Sequence, residues 1–203
     1  MLNLSFAKLS ATPTETSWSQ VYNAGNLFAC LSLSKQADAE SPSLNSIGKD
    51  MFSALESEFF TLEEKELQSI KEAIANSTHT IPTNVTGGLC LTFFKENILY
   101  IFIYGQGTVI IKRDGKIGTL LTGENDLEIK TASGLVENGD TIIIQTSQFT
   151  KDISDETLSE ALELELPNDI AESLSPVMHT APEKENTDLG ASAAIIIKYQ
   201  GVA

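Results

Sequence analysis

Between residues 89 and 131 the chain breaks into five short apolar runs separated by turn signals, and this constrains the fold more than any other feature. The runs 89–94, 98–104, 108–112, 116–121 and 127–131 are each of strand length. Glu96-Asn97, Gly105-Gln106-Gly107 and Arg113-Asp114-Gly115 punctuate them. Links this short read as hairpins. Asp114-Gly115 is the strongest of them, because both residues accept the positive φ of a type I′ turn.

The flanking regions divide into blocks. Residues 2–8 alternate apolar and polar like an edge strand, a Thr- and Ser-rich turn region follows, and 26–33 reads as a buried strand. From Ser43 the period becomes helical, with Leu44, Ile47, Met51, Phe52, Leu55 and Phe59 on one face. A second helix is expected from Thr61, with Thr61 as N-cap and Glu64 three residues on, and an apolar stripe of Leu62, Leu67, Ile70 and Ile74. Residues 76–88 read as a loop. After the meander come a strand at 141–146, helices at 154–164 and 168–174, a polar loop at 175–188 and a final strand at 193–199. Hairpin-linked strands with helices in blocks indicate an α+β sandwich rather than a βαβ fold. The final strand must pair with something earlier, so one domain spanning 1–203 is expected.

The segment from Leu135 to Leu158 has the layout of an active-site corner. Asn138-Gly139-Asp140 turns the chain into a buried strand, which empties into Ser147-Gln148-Phe149-Thr150 before a helix capped at Ser154. Asp155 and Glu156 in the first turn of that helix suit its dipole. The corner itself offers a serine and a glutamine, with no acid to hold a metal or move a proton.

Charge and composition exclude several functions. The net charge of −15, with only 13 Lys and Arg, opposes binding to nucleic acid and docking on an anionic membrane. No apolar run approaches the roughly 20 residues that span a bilayer. The N-terminus lacks the pattern of a signal peptide, so a cytoplasmic protein is expected. Cys30 and Cys90 lie in strand-like segments and read as buried reduced thiols. His79 and His179 sit alone, without a serine elbow or a zinc-ligand spacing beside them. Asp126, Asp140, Asp152 and Asp155 fall in turns or at a helix start, where Asp serves local hydrogen bonding. Trp18 and Tyr22 read as partly buried core residues.

Four places along residues 20–200 together resemble the metal-dependent protein phosphatase family (PPM, protein phosphatase 2C-like). The strand Leu27-Phe28-Ala29-Cys30-Leu31 leads into Ser32 and Leu33, where the family has Asp-Gly. The run from Asn97 to Lys116 resembles the family's strand, Gly-Asp-Ser-Arg turn and Arg-Asp-Gly hairpin, with Gln106 at the Asp and Thr108 at the Arg position. The segment 135–158 resembles the family's Thr-Asp-Gly segment, with Ser147 and Gln148 replacing Asp and Gly. Residues 189–197 resemble the last strand, with Leu189 at the Asp position, or Asp188 after a shift of one residue. An N-terminal Arg and Glu-Asp signature is missing around 14–22, where only Glu15 is acidic.

The resemblance implies a four-layer α-β-β-α sandwich of two antiparallel sheets flanked by helices. It also implies an activity in which two divalent metals between the sheets activate a bridging water against a phosphoester. Mg²⁺ and Mn²⁺ require carboxylate oxygens, and two such ions need several. Serine and glutamine supply no charge, and leucine supplies no ligand at all. The expected protein is therefore a degenerate member, without metal cofactor or catalytic residues: a pseudophosphatase acting as a binding or regulatory module toward a protein partner. The alternatives are a divergent Mn²⁺- or Mg²⁺-dependent serine/threonine phosphatase with shifted ligands such as Asp188, Asp140 or Asp152, and a structural assembly domain.

Overall fold

A computed structural model describes residues 2–38, 40–180 and 190–202, apart from the side chains of Asn125 and Asp126. In chain order these residues form β1 (Leu2–Ser10), β2 (Ser17–Ala24), β3 (Leu27–Ser34), α1 (Leu44–Thr61), α2 (Leu67–Thr78), β4 (Thr86–Lys95), β5 (Ile98–Arg113), β6 (Lys116–Leu135), β7 (Thr141–Gln145), α3 (Ser147–Asp152), α4 (Asp155–Ala161), α5 (Pro167–Thr180) and β8 (Ala193–Val202). No described helix is long and apolar enough to cross a membrane.

Strand β5 organises the sheets. Where the turn signal Gly105-Gln106-Gly107 suggests two strands, the chain runs on as one strand of 16 residues. Its first part pairs with β4, from Lys95↔Ile98 to Leu89↔Tyr104. Its last part pairs with β7, from Thr108↔Gln145 to Lys112↔Thr141. Strand β6 accompanies β5 over both parts, with irregular register around Gly105 and Gln106. Bulges of this kind bend a ladder. The glycines thus act as a corner in the strand rather than a break. One sheet runs β2-β3-β4-β5, the other β5-β7-β8-β1, and both are antiparallel.

Alternating side chains sort into three cores. Phe28, Cys30, Ile103, Ile142, Ile144, Ile195 and Ile197 fill the space between the sheets. On the outer face of the first sheet, Leu31, Leu33, Leu91 and Phe102 pack against Ile47, Met51, Leu55, Ile70 and Ile74 of α1 and α2. On the outer face of the second, Ile143 and Ile196 meet Phe149, Leu158, Ile170 and Leu174 of α3–α5. Each fully buried large apolar side chain contributes about 1.5–3 kcal/mol. The result is the four-layer α-β-β-α sandwich.

Local structure departs from the sequence pattern in a few places. Residues 17–24, read as a polar turn, form β2, with Trp18 buried against α1 and Tyr22 stacked on Phe52 at 5.2 Å. Helix α1 starts where the helical period begins, with Ser43 as its N-cap, whose Oγ accepts from Ser46 N. It continues through Thr61, and the second capping box forms at Glu66 and Ser69 instead of Thr61 and Glu64. Residues 175–180 extend α5 despite Pro176. At the β5–β6 hairpin, Asp114 (φ 50°) and Gly115 (φ 73°) adopt the positive φ values that the sequence demands.

Candidate functional site

The family-like positions gather at one end of the sandwich, and the ladders show how. Ser32 pairs with Gly88. A Cβ on Gly88 would stand 2.4 Å from the Gln106 carbonyl oxygen, so the β5 corner lies directly on β4 beside Ser32. The β5–β7 ladder ends at Thr108↔Gln145, so Gly107 and Thr146 come next in register and Gln106 and Ser147 one step further. Thr146 N donates to Ala193 O and Ala193 N to Thr146 Oγ1, both at 3.0 Å, which ties the β7–α3 junction to the start of β8. Gly190 (φ +70°) presses on β3, where a Cβ would come within 2.9 Å of both Ser32 Cβ and Leu33 N.

The side chains at this end are mostly neutral. Ser32 is 2% exposed, and its Oγ donates to Gly88 O at 3.4 Å. Leu33 faces away, into the core beneath α1 and α2. Gln106 and Thr108 are half-buried on β5. Ser147 opens α3, a helix that replaces the expected irregular corner; its N-cap is Thr146, whose Oγ1 accepts from Phe149 N. Gln148 is buried, and its Nε2 donates to Asp152 Oδ1 at 2.7 Å. Asp188 and Leu189 lie outside the described residues, and so does the side chain of Asp126.

Asp152, expected in a turn or at a helix start and weighed as a shifted ligand, is instead the last residue of α3. Besides Gln148, its carboxylate accepts from the Ser192 hydroxyl through Oδ2. The Ser192 carbonyl in turn accepts from Ser19 Oγ at 3.1 Å and from Ala11 N at 2.8 Å. This network binds α3 to the starts of β8 and β2. The spacing of Gln148 and Asp152, one helical turn apart, was a signal for their contact, whereas nothing local in the sequence points to Ser192.

Two divalent cations do not fit these groups. The described positions supply hydroxyl and amide oxygens and one carboxylate that already holds two hydrogen bonds, where hard cations need several carboxylate oxygens. Among the described residues no three His, Cys, Asp or Glu side chains stand together as a metal site. Asp140 cannot assist: it precedes β7, about 20 Å along the strand from Ser147. There Arg113 Nε and Nη2 donate to its two oxygens at 2.9 and 2.6 Å. That pairing raises the Arg113 pKa further above its usual value.

At the level of sequence, no family model and no curated protein matches this chain. Solved structures do. The catalytic domain of the serine/threonine protein phosphatase PstP, in complex with two manganese ions, superposes with a TM-score of 0.77 at 14% identity, covering 98% of this chain and 100% of that one. PppA, a regulatory component of the type VI secretion system in Pseudomonas aeruginosa, gives 0.73 at 12% identity over 97% of each chain. The PPM Ser-Thr phosphatase MsPP from Mycobacterium smegmatis, in complex with cacodylate, gives 0.72 at 12% identity over 98% of each. The class defined by these matches is the α-β-β-α sandwich of serine/threonine phosphatases. Within it, the chain has the PPM, or protein phosphatase 2C-like, fold.

Proposed function

We propose that this chain is a degenerate, metal-free protein phosphatase 2C-like domain that works by binding rather than by hydrolysis. The observation that carries the reading is the neutral set Ser32, Gln106 and Ser147 at the end of the sandwich, beside an Asp152 already held by Gln148 and Ser192. Two metal ions carry four positive charges, and nothing in that set offsets them. The partner in this reading is a protein, bound by a regulatory module that forms a single domain over residues 1–203 in the cytoplasm. Strand β5, shared by both sheets, and β8, paired to both β1 and β7, support the single domain.

Calorimetric titration with Mn²⁺, run beside a generic phosphoester assay, tests the reading. The expected outcome is no saturable heat and no metal-dependent turnover. Micromolar Mn²⁺ binding with turnover would overturn it in favour of a divergent phosphatase, and loss of that turnover in Asp188→Asn would identify a shifted ligand.

A further inference from the structure

Beneath this corner lies a second chemical group that the proposed function does not use. Cys30 and Cys90 are direct partners in the β3–β4 ladder, and both side chains enter the core between the sheets. Opposed residues of an antiparallel pair have Cα atoms about 4.5–5.5 Å apart, within the span that a disulfide bridges. Both cysteines are free and buried. Their thiols cross the gap between the sheets: Cys30 Sγ donates to Ile144 O and Cys90 Sγ to Gln145 O, each at 3.6 Å. Cys90 also approaches Gln106 O, at 3.9 Å. Gly107 rests on the same sulfur, where a Cβ would stand only 2.0 Å away. Cys90 thus supports the carbonyls of Gln106 and Gln145, which flank the corner, and Cys30 supports that of Ile144 beside them.

We propose that Cys30 and Cys90 are a redox-responsive dithiol that closes to an intramolecular cross-strand disulfide, and that closure loosens the corner carrying Gln106 and Ser147. The oxidant is a peroxide. One thiol attacks the peroxide O–O bond and becomes a sulfenic acid, releasing one water. The second thiol displaces the hydroxyl as another water, so two S–H bonds are exchanged for one S–S bond and two electrons pass to the peroxide. Neither sulfur can then donate to Ile144 O or Gln145 O. Burial pushes the Cys90 thiol up to about 12 and Cys30 well above its usual value. The reduced pair is therefore inert while the sheets stay closed, and its oxidation is gated by their opening.

The test treats the whole chain with hydrogen peroxide and counts alkylatable thiols after unfolding, alongside amide hydrogen exchange. Expected are the joint loss of both thiols in monomeric protein, a mass lower by two hydrogens, and full recovery with dithiothreitol. The rate should rise several-fold in urea below the unfolding transition. Exchange over 106–108 and 145–147 should become faster in the oxidised form, and Cys30→Ser should abolish that response. Persistence of both thiols, oxidation only to disulfide-linked dimers or higher acids, or an unchanged corner in the disulfide form would each overturn the proposal. So would a Cys30→Ser chain that still responds. None of these results depends on whether the chain binds metal.

Discussion

Gly107 shows how tightly single positions are set in this molecule. It holds φ +144°, with Cys90 Sγ 2.0 Å and Gln145 O 3.2 Å from where a Cβ would stand. Gly107→Ala therefore meets an unfavourable backbone and an occupied volume together, and is expected to destabilise by about 2–4 kcal/mol. Adding Cys90→Ala removes the sulfur but not the backbone cost. The double variant should lose less than the sum of the single losses by about 1 kcal/mol in urea denaturation; strict additivity would show that the sulfur is not the obstacle. Asp140 makes a different case. Its carboxylate is 2% exposed, accepts from Glu137 N at 2.8 Å and holds Arg113, whose side chain is 34% exposed. Water around Arg113 tempers the pair, so Asp140→Ala should cost about 1–3 kcal/mol. Glu137→Ala, removing a partner 68% exposed, should cost less than about 0.5 kcal/mol; equal losses in the two variants would refute this ranking.

Among the elements, α1 and β2 are coupled through a notch. A Cβ on Gly48 would fall 2.1 Å from the Trp18 ring, so glycine lets the indole lie directly on the helix. In an isolated helix Gly→Ala gains about 1 kcal/mol. Here Gly48→Ala is expected to lose about 1–3 kcal/mol instead, because the ring must move. Emission from Trp18, the chain's single tryptophan, should shift to the red; a stabilised variant with unchanged emission would refute the notch. This contact was not legible in the sequence, and β2 itself was missed because its Ser-Trp-Ser-Gln start lacks an apolar run, although its partner β3 follows after only Gly25 and Asn26. Helix α1 was legible from its start near Ser43, since six apolar residues at helical spacing all act locally. The β5 corner was half legible: glycines mark a change of direction, but a bend and a break look alike until β4 and β7 are seen on the same strand. The same limit held at the site. Ser32, Gln106 and Ser147 could be picked out by their place in the family-like pattern, while the Asp152–Ser192 contact joins residues 40 apart that no local rule connects.

For the whole molecule, the question is what holds the two sheets and α3 together at the end where Ser32 and Ser147 lie. In this chain hydrogen bonds do it: Thr146 to Ala191 O at 3.1 Å, Ser192 to Asp152, and Ser19 to Ser192 O. A ligand that binds only the folded state at about 100 times its dissociation constant adds about 2.7 kcal/mol. For a chain of this length that is roughly 5–10 °C in melting temperature. Millimolar Mn²⁺ or Mg²⁺ is therefore expected to leave the melting temperature unmoved, as is removal of divalent ions with a chelator. The converse variant sharpens the expectation. Ser32→Asp with Ser147→Asp places new carboxylates where Ser32 is 2% exposed, in a chain already at −15, and without metal it should melt lower than the parent. If the backbone at this end still has the geometry of a metal cleft, Mn²⁺ should raise the melting temperature of that variant and leave the parent unchanged. A parent that shifts by several degrees would show that the native residues already hold the ion, and the binding-module reading would fall with it.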